Sequence, residues 1–127
     1  MAGSSISVLL VEDNPIHARL LQGLLSDQQD PPFAVEIVDH LAAGLARLKE
    51  GGIDAVLLDL VLPDSQEMAT FERVKEAVPE LPVLVLTGLD DEALAEKAVA
   101  AGAREFLVKT QIDGESLARS IRAAVEV

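Results

Sequence analysis

At 127 residues the chain has room for one domain with a hydrophobic core and is too short for two domains or an eight-fold barrel. Its 10 basic against 22 acidic residues leave a formal net charge of −12, which repels nucleic acid and anionic membrane surfaces and argues against direct binding to either. Cysteine is absent, so disulfides, thiolate catalysis and cysteine-based zinc sites are excluded as well.

The opening Met-Ala-Gly-Ser-Ser-Ile-Ser lacks a basic region followed by an apolar one, and no apolar run approaches the ~20 residues a bilayer requires. A soluble, cytoplasmic protein forming one domain over residues 1–127 is expected. Half of the residues are hydrophobic, mostly aliphatic, with three Phe and neither Trp nor Tyr, which suits buried parallel strands. The first strand-length aliphatic segment is Ile6 to Val11. Ile16, Leu20, Leu21, Leu24 and Leu25 follow as a one-sided helical stripe, which Pro31-Pro32 should stop. Segment two, Ala34 to Val38, is interrupted by Glu36, and the helix after it should end at Gly51-Gly52. Segment three is Ala55 to Leu60, with Pro79 marking the end of the next helix. Segment four, Val83 to Leu86, precedes a helix that Asp90 can cap and Gly102 can close. Arg104-Glu105 opens segment five, Glu105 to Val108, before a last stripe of Leu117, Ile121, Ala124 and Val125.

Five strand–helix units in alternation predict an α/β fold, a (βα)5 doubly wound parallel sheet with right-handed crossovers and helices on both faces. Segments one, three and four are almost wholly apolar and belong in the centre, while the charges in two and five place those at the edges. The strand order 2-1-3-4-5, a flavodoxin-like arrangement, satisfies both conditions.

In an open parallel sheet the functional crevice lies beyond the carboxyl ends of the strands. Strand one ends there in Glu12-Asp13, strand three at Asp59, strand four at Thr87 and strand five at Lys109. Any one of these is an ordinary turn former or cap. Three acids, a hydroxyl and an ammonium converging on one crevice are costly crowding unless a cation and a function offset it. Hard carboxylate oxygens suit Mg²⁺. An ionised Asp needs no general base to act as a nucleophile, and phosphoryl transfer requires chiefly positioning and charge neutralisation. Asp59 is therefore placed to attack phosphorus, with the cation and Lys109 neutralising the phosphoryl oxygens and the Thr87 hydroxyl donating to one of them.

Val11-Glu12-Asp13-Asn14, Leu57-Leu58-Asp59-Leu60, Leu62-Pro63-Asp64, Leu86-Thr87-Gly88, and Ala101-Gly102-Ala103 through Phe106-Leu107-Val108-Lys109, in this order and at these spacings, resemble the receiver domain of bacterial two-component response regulators over essentially the whole chain. The resemblance implies Asp59 as phosphoacceptor. It further implies Asp13, Asp59 and the backbone carbonyl of Val61 as Mg²⁺ ligands, with Glu12 acting through a metal-bound water. Thr87 and Lys109 would bind the phosphoryl group, and Phe106 takes the aromatic switch position. In that family the residues two beyond the phosphoacceptor and two beyond the Thr flank the phosphoryl group. Here they are Val61 and Leu89, which cannot orient a hydrolytic water, so slow self-dephosphorylation is expected. The implied partners are a histidine kinase or phosphotransfer protein upstream, a downstream effector or missing output domain, and a phosphorylation-dependent dimer. Three positions depart from the pattern. Glu67 stands where the family commonly has Gly, so a different turn is expected there, Phe106 lacks a tyrosine hydroxyl, and Thr110 replaces the usual Pro.

Rival classes fit less well. An aspartate-nucleophile phosphatase-like enzyme carries its nucleophile after the first strand with a second Asp two residues on, whereas Asp59 follows the third strand and is followed at that spacing by Val61. A flavin or nucleotide module needs a Gly- or Ser/Thr-rich loop after strand one, where this chain has Glu12-Asp13-Asn14-Pro15. A degenerate receiver used only for docking would not need the complete acidic, hydroxyl and lysine set. His17 and His40 have no clustered partners in the sequence and read as surface or cap residues.

Overall fold

The computed structural model describes residues 5–29, 32–88 and 91–126. Its elements in chain order are β1 (Ile6–Val11), α1 (Pro15–Ser26), β2 (Phe33–Val38), α2 (Leu41–Lys49), β3 (Ala55–Asp59), β4 (Val61–Leu62), β5 (Ser65–Gln66), α3 (Met68–Ala77), β6 (Val83–Thr87), α4 (Glu92–Ala100), β7 (Glu105–Val108) and α5 (Gly114–Glu126). Five strands form one parallel sheet in the order β2-β1-β3-β6-β7. This is the expected 2-1-3-4-5 once the two short strands are set aside.

Burial explains that order. β3 and β6 are buried at every position, and β1 at all but Ser7, while the edge strands β2 and β7 alternate or stay half-covered. Successive side chains leave opposite faces of a strand, and two cores result. Leu9, Val11, Val56, Leu58, Val83 and Val85 meet Leu41 and Leu48 of α2, Phe71 and Val74 of α3 and Ala98 of α4. Val8, Leu10, Leu57, Leu84 and Leu86 meet Ala18, Leu21 and Leu25 of α1 and Leu117, Ala118, Ile121 and Ala124 of α5. Each large aliphatic side chain so buried contributes roughly 1.5–3 kcal/mol. None of the helices among the described residues is long and apolar enough to cross a membrane.

Element ends follow local chemistry. Asn14 caps α1, accepting from the N–H groups of Ile16 at 2.9 Å and His17 at 3.3 Å, with Pro15 opening the helix. After α4, Gly102 takes φ 122° while its N–H donates to the Val99 carbonyl and that of Ala103 to the Ala98 carbonyl. This paired closure favours glycine. Pro31 and Asp90 lie outside the described residues. At the start of α4 the cap position falls to Asp91, whose side chain makes no capping hydrogen bond. On edge strand β2, Glu36 is gripped by Arg47 of α2 through two bonds of 2.7 and 3.0 Å, while a third guanidinium nitrogen donates to the Gly51 carbonyl at 2.7 Å.

Two elements differ from expectation. Segment three stops one residue early, at Asp59, because the chain then turns into a small antiparallel hairpin, β4 with β5, pairing Val61 with Gln66 and Leu62 with Ser65. Glu67 leaves that hairpin at φ 60°, ψ −138°, so the chain takes a glycine-type conformation there without a glycine. Such backbone costs about 1–3 kcal/mol for a residue with a Cβ. Replacement by glycine removes that strain but returns about 0.4–1 kcal/mol through unfolded-state entropy. Glu67→Gly is therefore expected to stabilise the fold by about 1 kcal/mol. Urea unfolding of the two proteins checks this, and a lower midpoint for the Gly variant would contradict it.

Candidate functional site

The three central strands β1, β3 and β6 and the edge strand β7 each deliver an expected polar residue at the carboxyl end. Asp59 is the last residue of β3 and Thr87 the last of β6, while Glu12 follows β1 directly and Lys109 follows β7. Parallel pairing aligns these ends. Val11 lies beside Leu58, Asp59 beside Leu86, and Thr87 beside Val108, and the Lys109 N–H donates to the Thr87 carbonyl at 2.9 Å.

The Lys109 ammonium donates to Asp59 Oδ2 at 2.7 Å and lies 2.6 Å from Glu12 Oε1. The other Asp59 oxygen accepts from the Val61 N–H at 2.9 Å. The Glu12 side chain is fully buried and those of Asp59 and Lys109 nearly so. Burial, followed by the carboxylate of Asp59 beside it, pushes the Glu12 carboxyl up to about 7, against the opposing pull of Lys109. For Lys109 burial works against the charge, yet Asp59 and then Glu12 more than offset it and hold the ammonium above the ordinary lysine value. The Thr87 hydroxyl is buried and donates to the Gly88 carbonyl at 3.0 Å.

Carboxylate oxygens of Glu12, Asp13 and Asp59 all lie within 4.8 Å of one another, with Asp13 on the exposed side. Three hard oxygen donors, one open to solvent, fit a small divalent cation that keeps part of its water shell. The expected residues thus meet at one edge, except that Phe106 stands apart. It is half-buried against the α2–α3–α4 core and lines a shallow groove with Glu96 and Val99 of α4. Leu89 lies outside the described residues.

Two neighbours escaped the sequence. His17, on the first turn of α1, brings Nδ1 to 3.8 Å from Glu12 Oε1, too far for a hydrogen bond. Helix periodicity would place it back over the strand ends once α1 is known to start at Pro15. Asp64, at the hairpin tip, accepts from the N–H groups of Leu41 at 2.7 Å and Ala42 at 2.9 Å and so caps α2 from a distant loop. His40 occupies the cap position of that helix, but its side chain makes no capping bond and instead meets Asp39 at 2.7 Å.

Comparison with known proteins agrees with this geometry. The sequence model of the response regulator receiver domain matches residues 8–122, and the chain belongs to that family, the receiver domains of two-component phosphorelay signalling. Transcriptional regulatory protein ZraR of Salmonella typhimurium is 28% identical over 125 residues, covering 98% of this chain and 27% of ZraR. Transcriptional regulatory protein BasR of Escherichia coli is 33% identical over 104 residues, covering 82% of this chain and 46% of BasR. The chain thus spans less than half the length of either relative. Among solved structures, a response regulator receiver domain protein from Clostridium thermocellum superposes with a TM-score of 0.84 at 25% identity, covering 95% of this chain and 94% of the other. Full-length FixJ from B. japonicum gives 0.85 at 25% identity, covering 97% of this chain and 59% of FixJ.

Removing Lys109 leaves two buried carboxylates facing each other without a cation. Lys109→Met, which keeps the apolar stem, is expected to cost roughly 3–5 kcal/mol in divalent-free buffer near neutral pH. Urea unfolding measures it, and a loss below about 1 kcal/mol, the worth of an exposed pair, would show that the ion pair does not hold this edge together.

Proposed function

We propose that the chain is a phosphorylation-driven switch that accepts a phosphoryl group on Asp59 with Mg²⁺ bound beside it. The observation that carries this is the Lys109 ammonium 2.7 Å from Asp59, with Glu12 and Asp13 gathered around the same carboxylate. In the proposed site Asp13, Asp59 and the backbone carbonyl of Val61 hold the cation, and Glu12 reaches it through a water. When bound, the cation neutralises charge on the phosphoryl oxygens.

A carboxylate oxygen of Asp59 attacks phosphorus in line with the leaving group. An O–P bond forms as the P–N bond of a phosphohistidine donor breaks, and the departing imidazole keeps the electron pair and takes up a proton. Lys109 then shares its charge with the new phosphoryl oxygens. Thr87 turns its hydroxyl from the Gly88 carbonyl to a phosphoryl oxygen, and Phe106 responds on the outer face of β7. Lacking a hydroxyl, the Phe106 ring acts by packing alone.

This makes the chain a signalling domain that assists its own phosphorylation, not an enzyme turning over a small substrate. A histidine kinase or phosphotransfer protein supplies the phosphoryl group, and an effector protein, an output domain or a phosphorylation-dependent dimer reads it. A cytoplasmic location and a single receiver domain over residues 1–127 complete the proposal. Full-length relatives called transcriptional regulatory proteins support an output of that kind.

Incubation with acetyl phosphate and Mg²⁺ is expected to add one alkali-labile phosphoryl group by intact mass, and none in Asp59→Asn or in the presence of a chelator. A labile adduct on the Asn variant would refute Asp59 as the acceptor. The lifetime is expected to be long, since Val61 and Leu89 offer no hydrogen bond to an attacking water. A Val61→Asn, Leu89→Glu double variant should lose its phosphoryl group about tenfold faster. That requires only ~1.4 kcal/mol of barrier, comparable to one hydrogen bond. Equal rates of phosphoryl loss would remove these two residues as the cause.

A further inference from the structure

Val61 offers the proposed cation site a backbone carbonyl, yet the residue is 46% exposed, so apolar packing of its side chain does little to fix that carbonyl. The hairpin that carries it is tied by hydrogen bonds at its base and at its tip. At its base the Glu67 N–H donates to the Leu60 carbonyl at 2.7 Å, and the buried Thr70 hydroxyl lies 3.1 Å from the same carbonyl and 2.9 Å from the Ser65 hydroxyl. Its tip is tied by Asp64, through the Leu41 and Ala42 N–H bonds, to a helix that begins 23 residues earlier in the chain. Those two donors, Ala42 first, hold the Asp64 carboxyl below its ordinary value. The arrangement is mutual. The helix has no capping side chain of its own, and with β4 and β5 paired, fixing the tip also restrains Val61 three residues away.

We propose that Asp64 is a positioning residue for the cation site. By tying the hairpin tip to the start of α2, it presets the Val61 carbonyl and so raises Mg²⁺ affinity without touching the ion. This rests on the proposed ligand set above. By linkage, the cation must then favour the closed α2–hairpin contact as much as that contact favours the cation. Two simpler accounts compete: Asp64 is only a helix cap, or its negative charge alone attracts the ion, since it shares a cleft with Asp13.

Calorimetric Mg²⁺ titration of wild type and four variants separates these accounts. Asp64→Ala is expected to weaken Mg²⁺ binding about tenfold, as loss of a supporting bond behind a metal ligand typically does. Asp64→Asn drops the charge but keeps an acceptor oxygen, and should retain most of the affinity. Asp113→Ala removes a comparable cap at α5, where the Ser116 N–H donates to Asp113 at 2.7 Å. It should lower the melting temperature and leave Mg²⁺ binding unchanged. Amide exchange at Leu41 and Ala42 should slow when Mg²⁺ is added to the wild type. Wild-type affinity in Asp64→Ala assigns the residue to capping alone and overturns the proposal. Equal losses in the Asn and Ala variants assign the effect to charge and also overturn it. If the Ala variant does not fold, unchanged Leu41 and Ala42 exchange in the wild type overturns it instead. A wild type that binds no Mg²⁺, or an Asp13→Ala variant that binds it undiminished, refutes the ligand set itself and this inference with it.

Discussion

Lys109 places one ammonium 2.6 Å from Glu12 and 2.7 Å from Asp59, and the C-terminal edge of the sheet depends on that contact. Two carboxylates brought together at the ends of β1 and β3, in surroundings that shut out water, repel each other and lose hydration. One buried cation offsets both penalties only in part. Glu12 still sits far above an ordinary carboxyl, pushed there by burial and then by Asp59. Asp13, on the solvent side of the cluster, leaves the crevice with surplus negative charge and an open face. A fold optimised for stability alone would fill such an edge with apolar side chains. Here the sheet holds the cost in place, and a bound cation or a change of charge at Asp59 acts where the balance is finest.

The same contact extends outward through the backbone. The Lys109 N–H is bonded to the Thr87 carbonyl, so the ammonium and the hydroxyl proposed to read the phosphoryl group sit on neighbouring strands in fixed register. Phe106, three residues before Lys109 on β7, pairs with Val85 of β6 and packs on the α2–α3–α4 core. A displacement of Lys109 toward a new charge therefore has a short covalent route to the outer face.

Much of this was legible in the sequence because burial on both faces leaves a simple trace. β3 and β6 are apolar up to their last residues, Asp59 and Thr87, while Glu36 and Glu105 disclosed the edges. A parallel sheet also sends the residues at the ends of its strands to one side, so the sequence alone gathers Glu12, Asp13, Asp59, Thr87 and Lys109. What escaped was through-space. Asp64 reaches α2 from a different loop, and no local pattern marks that bond. His17 looks isolated until the exact start of α1 brings it over Glu12. Two-residue strands such as β4 and β5 show no alternation. Glu67 was visible as an oddity, and the chain answered by bending the residue instead of the loop.

Arg47 gives the sheet one further property. A bare outer strand offers a row of unpaired amides and carbonyls on which another molecule could add a strand of its own. On β2 the guanidinium grips Glu36 with two bonds and reaches the Gly51 carbonyl with another, so a charged, tethered arm lies beside that row. A visiting strand would have to break the arm's bonds and desolvate its charges before making its first amide contact. Growth of the sheet from copy to copy is thereby disfavoured at the β2 edge.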